Sequence, residues 1–348
     1  MNPTSPLRDA QNLFAASIPF RSLAAETCLI DQALDRTLFA DVVAPIDSPP
    51  YSRAIVEGFL VRTAETQSAS ESAPVTFTVR GQCNPADSQC PPVPEGGAIR
   101  IVTGSIVPDG AYSAIRMWDG KIAGETITIT RPFPPRFFLE DQGCDLKKGT
   151  TILAAGSTVT PANIGTLASL GIEKIQVVRK PRATIFASGD EVIPYTASAQ
   201  ARPGAIFDCN TVMLSAAVQE AGGIALAGGI MRDDFDTFQA ALRRALTESD
   251  MVIISGGTAI GGRDFVSDLL RATGQLLVDG VQMRSGRPLI MGIADGKPIV
   301  CVAGHPPEAL RGFLTFGVLA VNRLLGRPLP PPDDPTPPGP GGGGGGPK

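Results

Sequence analysis

The sequence predicts an α/β protein with a three-layer α/β domain over residues 179–326. An N-terminal helical or extended segment precedes it and carries an inserted β-rich domain. From Pro181 onward, strand-like and helix-like segments alternate, the pattern of an α/β sheet covered by helices. Met251 to Ile254 is wholly apolar, as a strand buried on both faces of a parallel sheet should be. Residues 51–143 differ in character, with short alternating runs punctuated by Gly and Pro.

Taken in order, residues 21–43 read as helical, because Leu23, Cys28, Leu29, Ala33, Leu34 and Leu38 recur at helix-like spacing. Pro45, Pro49 and Pro50 then force an extended segment. Residues 1–50 and 144–178 together form the expected N-terminal helical and linker domain. Within 51–143, Val75 to Val79 and Thr126 to Thr130 alternate as strands, while 64–74 and 82–97 read as loops. Pro161 to Gly171 is a short helix, with Pro at its first position and Gly just past its end. The α/β domain follows: strand Ala183–Ala187, helix Thr211–Ala221, strand Ile224–Gly228, helix Phe235–Ser249 and strand Met251–Ile254. Helix Val266–Thr273, strands at Leu289–Gly292 and Ile299–Val302, and a closing helix Pro306–Leu325 complete it. Residues 327–348 are almost all Pro and Gly and read as a disordered tail.

Composition narrows the function classes. The chain has 348 residues, enough for two or three domains, and 43% are hydrophobic, enough for a real core. A net charge of -4 provides no global attraction for nucleic acid, so a bound anion must rely on local donors. The six cysteines form no CxxC pair, which argues against zinc. Cys83 and Cys90 share one loop and could pair, but the scatter of the six favours a reduced, cytoplasmic chain. No secretory signal and no membrane-length apolar run is visible. His305 is the only histidine, so a site with several His ligands is excluded and any His-dependent triad would pass through it.

In open α/β sheets, ligands gather at the C-terminal ends of strands. Three strand-following loops qualify: Ser188-Gly189-Asp190-Glu191, Ser255 to Asp264, and Ala303 to Glu308. The second is the richest. Gly256 and Gly257 let the backbone approach a ligand and turn N–H groups toward an anion. Ser255 and Thr258 add hydroxyls, and Asp264 adds a carboxylate suited to Mg²⁺. By itself the run reads equally well as an ordinary Gly-rich connection. Gly304-His305 opens the last helix, where a capping or packing histidine is the simpler reading. Arg284-Ser285-Gly286-Arg287 is either a solvated hairpin or a clamp in which two guanidinium forks hold an oxyanion. Asp208 or Asn210 should cap the helix that follows. Asp190 and Glu191 are either solvated or share a metal or polar ligand.

These loops occur in an order that resembles the molybdopterin molybdotransferase family, also seen as the E domain of gephyrin-like proteins. The run Ala40 to Pro50 looks like the family's N-terminal signature. Thr103-Gly104 with Pro108 and Gly110-Ala111, Pro161 to Gly171, Ser188 to Glu191, Asp208-Cys209-Asn210, Ser255-Gly256-Gly257 and Gly304-His305-Pro306 follow in register. The resemblance implies a molybdopterin-binding-like α/β fold and an elongated homodimer whose cleft lies between the α/β domain of one subunit and the β-rich domain of the other. It implies molybdenum cofactor biosynthesis: Mg²⁺-dependent insertion of molybdate into adenylylated molybdopterin, with release of AMP. Glu57, Asp190 and Asp264 take the catalytic positions, with Glu57 and Asp264 on the metal. Asp208, Asn210, Ser255, Gly256, Gly257, Thr258, Arg284, Ser285, Gly286, Arg287, Gly304 and His305 take the cofactor-binding ones. A molybdopterin-adenylating protein or a molybdoenzyme is the partner class implied; nucleic acid and membrane are not expected.

The sequence departs from the family pattern at several points. Asp-Gly-Tyr-Ala reads Glu57-Gly58-Phe59-Leu60, Tyr112 replaces an Asp, and Gly-Asp-Tyr-Asp reads Gly261-Gly262-Arg263-Asp264. The Pro/Gly tail stands where the family places a C-terminal β domain. A non-catalytic molybdopterin or molybdenum-cofactor carrier is therefore the alternative function.

Overall fold

The computed structural model describes residues 6–232, 234–257, 265–281 and 289–329. Two compact units emerge: Met1–Ala40, Ala155–Ile164 and Lys174–Lys348 form one, and Asp41–Ala154 with Gly165–Glu173 the other.

The chain opens with helix α1 (Leu7–Ser17), whose Ala10, Phe14 and Ala15 are buried. Residues 21–43 then depart from the helical expectation. Strand β1 (Ala25–Leu29) and a short 3₁₀ turn at Ile30–Gln32 replace the helix. Leu23, Cys28, Ala33 and Leu38 are buried, but Leu29 and Leu34 are exposed. The apolar spacing thus had a helical component, but pairing of β1 with a later strand overrode it, as tertiary context often does.

The second unit is built on β-structure. Strands β2 (Val42–Val43), β3 (Arg53–Ala54) and β4 (Gly58–Arg62) lead into a single helical turn, α2 (Thr63–Thr66). Then come β5 (Val75–Cys83), β6 (Gly97–Ile101), β7 (Tyr112–Arg116), β8 (Lys121–Ala123), β9 (Thr126–Ile129), β10 (Leu139–Glu140) and β11 (Thr151–Leu153). Six of them form a sheet in the order β7-β4-β6-β5-β9-β8, antiparallel except for β5 beside β6. Alternation sends neighbouring side chains to opposite faces. Phe59 and Val61 join Phe77, Ile115 and Ile127 on one side, while Leu60 joins Ile99, Ile101 and Ala114 on the other.

Helix α3 (Pro161–Ser169) leads to β12 (Lys174–Val178), the partner of β1, with Cys28 opposite Ile175. The α/β unit then runs β13 (Arg182–Ser188), β14 (Val192–Ile193), β15 (Ile206–Phe207), α4 (Asn210–Glu220), β16 (Ile224–Met231) and α5 (Phe235–Glu248). It continues with β17 (Met251–Ser255), α6 (Phe265–Thr273), β18 (Gln275–Asp279), β19 (Ile290–Ala294), β20 (Lys297–Val302), α7 (Pro306–Gly312) and α8 (Val318–Leu325). The closing helix runs unbroken from Pro306 to Leu325, as expected, with a π-helical turn at Phe313–Gly317 between α7 and α8. The Phe313 ring lies where a Cβ on Gly317 would stand, so this packing requires glycine.

Six strands form the central sheet in the order β16-β13-β17-β20-β19-β18. The first four are parallel, and β19 runs antiparallel to both its neighbours, β20 and the edge strand β18. All five residues of β17 are buried, as its apolar run predicts. Ile253 faces a core shared with α1, α4, α7 and α8, while Val252 and Ile254 face one shared with α5 and α6. Helices on both faces make the domain three-layered. From β13 the chain crosses by α4 to β16 on one side; it returns by α5 to β17 on the other. The winding direction therefore reverses between β13 and β17, and a crevice opens beyond their C-terminal ends.

Candidate functional site

A cavity of about 590 Å³ occupies that crevice. Its floor is made by the strand ends: Ser188-Gly189 after β13, Ser255-Gly256-Gly257 after β17, and Ala303-Gly304-His305 after β20. Phe207, Asp208, Cys209 and Asn210, which lead into α4, line one wall, and Glu191 and Glu308 add carboxylates.

The Gly256-Gly257 turn depends on glycine twice. Gly256 has φ +92° and Gly257 φ +71°, the left-handed region that side chains resist. A Cβ on Gly256 would stand 2.6 Å from the Ser188 carbonyl oxygen, and one on Gly257 would stand 3.1 Å from Ser188 Oγ. The turn therefore presses against the end of β13, and the Gly256 N–H donates to the Val302 carbonyl at 3.1 Å. Ser188 is only 6% exposed, and its hydroxyl has no hydrogen-bond partner among the described residues. A buried hydroxyl without a partner is costly, and Ser188 is among the residues that line the cavity.

Asp208 and Asn210, alternatives as helix cap in the sequence, separate into different roles. Asp208 Oδ1 accepts from the Thr211 N–H at 3.0 Å and satisfies the first turn of α4. Asn210 is buried, and its amide Nδ2 donates to Ser255 Oγ at 2.8 Å and to the Gly304 carbonyl at 2.7 Å. One side chain thereby ties α4 to the turns after β17 and β20. Ser255 is also buried, with its hydroxyl 3.3 Å from the Ala303 carbonyl. This cross-link is invisible in the sequence, where Asn beside a helix start signals a cap.

His305 takes the N-cap position of α7 but makes no side-chain capping bond, and it is exposed at the cavity wall. Pro306 and Pro307 follow and carry no N–H, so this helix start has few donors for an anion. Asp190 stands on the turn after β13, exposed and 3.5 Å from Arg232, and the cavity is lined by its neighbours Gly189 and Glu191 rather than by it. Glu57 lies in the β-rich unit, exposed on the turn before β4, with its carbonyl accepting from the Met117 N–H at 3.3 Å. Thr258, Asp264, Arg284, Ser285, Gly286 and Arg287 lie outside the described residues. Sequence reasoning passed over the Ser188 hydroxyl in favour of the acidic residues beside it; the signal was its place at the last position of an apolar strand.

The cavity's donors are mainly oxygens: the carboxylates of Glu191, Asp208 and Glu308 and the hydroxyls of Ser188 and Ser255. That is the ligand type of Mg²⁺, which keeps several waters and takes one or two carboxylates beside substrate phosphates. Among the described residues no three carboxylate, imidazole or thiol groups converge on one point. A cation here would therefore draw further ligands from a bound phosphate. No helix among the described residues is long and apolar enough to cross a membrane.

The chain is similar to known proteins along most of its length. Residues 5–171 match the family described as MoeA N-terminal region (domain I and II), and residues 184–323 match the probable molybdopterin binding domain. Molybdopterin molybdenumtransferase 2 of Mycobacterium tuberculosis is 31% identical over 312 residues, covering 87% of this chain and 76% of that protein. Molybdopterin molybdenumtransferase of Staphylococcus epidermidis is 29% identical over 299 residues, covering 85% and 71%. The molybdopterin biosynthesis MoeA protein of Pyrococcus horikoshii superposes with a TM-score of 0.83 at 28% identity, over 94% of this chain and 80% of that one. A second structure of the Pyrococcus protein gives a TM-score of 0.80 at 31% identity, covering 93% and 81%. Matches of this extent, on a sheet that reverses its winding at a glycine turn and a buried serine, place the chain in the molybdopterin molybdenumtransferase family.

Proposed function

We propose that this protein acts in molybdenum cofactor biosynthesis, inserting molybdate into adenylylated molybdopterin and releasing AMP. The observation that carries this reading is the floor of the cavity, where the Ser188 hydroxyl, without a partner among the described residues, faces the Gly256-Gly257 turn. The reaction brings together an oxyanion and a phosphate-bearing substrate. Both call for hydroxyl and N–H donors held in place before they arrive. Asn210 does the holding by fixing the turns after β17 and β20. Mg²⁺, when bound, supplies charge neutralisation at the phosphates. Glu57 and Asp264 are the residues that the family resemblance implies would hold it. The test is AMP release by the purified chain from adenylylated molybdopterin, with and without molybdate and Mg²⁺. Release that depends on both is expected; no molybdate-dependent release sinks the catalytic reading.

A carrier that binds without turnover draws on one observation. Tyr112, where the family has an acid, is half-buried against the apolar cluster of Leu60 and Ile99 and contributes no carboxylate. Glu57→Gln separates the two readings: an enzyme loses turnover, whereas a carrier has no turnover to lose and keeps its affinity for molybdopterin.

A further inference from the structure

The β-rich unit contains a pair of thiols outside the site already described. Cys83 ends β5 and is fully buried, with Sγ 3.4 Å from the Ile106 carbonyl. Cys90 follows after six residues and is half-buried against the same apolar cluster. The intervening loop reverses tightly: the Asn84 N–H donates to Asp87 Oδ2 at 2.6 Å, and the Asp87 N–H to the Asn84 carbonyl at 3.2 Å. This reversal returns Cys90 to the apolar cluster that holds Cys83, so the two thiols pack in one place. No other two of the six cysteines share a loop. We propose that Cys83 and Cys90 are a disulfide-forming pair, which a low-molecular-weight disulfide such as glutathione disulfide closes to staple the 84–89 loop to the end of β5.

The half-buried thiol reacts first. The Cys90 thiolate attacks one sulfur of glutathione disulfide, whose S–S bond breaks and releases a glutathione thiolate. The Cys83 thiolate then attacks the Cys90 sulfur and displaces the second glutathione. Two protein thiols are oxidised, one glutathione disulfide is reduced to two glutathiones, and these carry off both thiol protons. Burial pushes the Cys90 thiol up to about 12, with Cys83 and Asp87 adding to the shift. Thiolate is therefore scarce at neutral pH, and closure is slow. This makes the pair a slow staple responding to sustained oxidation, unlike a fast peroxide sensor.

The full chain is incubated with glutathione disulfide at about pH 8.5, where thiolate is more abundant, then blocked with N-ethylmaleimide and digested with trypsin. The peptide Gly81–Arg100 contains both cysteines and no other. Its expected form, unreduced, carries no maleimide and is lighter by about 2 Da, the two hydrogens lost. In Cys90→Ser, which leaves the buried Cys83 in place, the same peptide carries one maleimide, on Cys83, and loses no hydrogens. Two maleimides on the wild-type peptide, a lasting glutathione adduct on Cys90 beside free Cys83, or a cross-link from this peptide to another would each overturn the proposal.

Discussion

At Asn210 a single amide does what the sequence leaves unspecified. Both bonds donated by its Nδ2 run to other loops, so Asn210→Ala takes a donor from the buried Ser255 hydroxyl and from the Gly304 carbonyl. A loss of ~1–3 kcal/mol is expected from an unsatisfied buried group, read as a lower denaturation midpoint together with weaker molybdate binding by calorimetry. Unchanged stability in Asn210→Ala would contradict the cross-linking role. The glycines make a sharper comparison. Gly256→Ala adds a Cβ at φ +92° and 2.6 Å from a carbonyl oxygen, so strain of ~1–3 kcal/mol is expected. Among the described residues, the Cβ added at Gly304 would meet only Gly256 Cα at 3.6 Å, an ordinary contact. Thermal unfolding should therefore rank Gly256→Ala well below Gly304→Ala. The sequence marks all three residues as noteworthy; only their surroundings distinguish a cross-link, an obligatory glycine and a replaceable one.

The same limit applies to whole elements. Strand β17 is legible because its apolar run suits a central parallel strand and nothing else of that length. By contrast, β1 and β12 stabilise each other through their register, and a helix-like spacing in 21–43 concealed one of them. Strand β18 also escaped notice, because an edge strand carries a weaker apolar signal. Elements are further joined by the Arg179–Asp250 pair, at 2.6 and 2.7 Å, with the Arg182 N–H donating to the same carboxylate at 2.8 Å. Burial alone would raise the Asp250 carboxyl, but the Arg179 hydrogen bonds and the Arg182 N–H outweigh it and hold it below the usual carboxylate range. A depressed folded value means the stabilisation is full above the unfolded carboxylate pKa of about 4 and disappears as pH falls through the folded value. Wild type should accordingly lose stability more steeply than Asp250→Asn as pH falls below about 4, with the variant ~2 kcal/mol weaker at pH 7. Parallel pH-melting curves would refute the linkage.

For the whole molecule, we propose the homodimer implied by the family resemblance. Light scattering coupled to size exclusion should give twice the chain mass; a monomer at micromolar concentration would count against it. What the sequence determined by itself was the architecture: alternating apolar segments need two helical layers over a sheet, and punctuated short runs need a separate β-rich unit. The order of its loop motifs likewise sufficed to identify the family. What only the tertiary structure decided was the assignment of chemistry to side chains. Ser188, Ser255, Asn210 and Gly304 are distant in sequence, and they meet because parallel strands deliver their C-terminal ends to one crevice. Spacing along a chain can record periodicity, which is local. It cannot record which buried hydroxyl lacks a partner, because that depends on packing from every element around it.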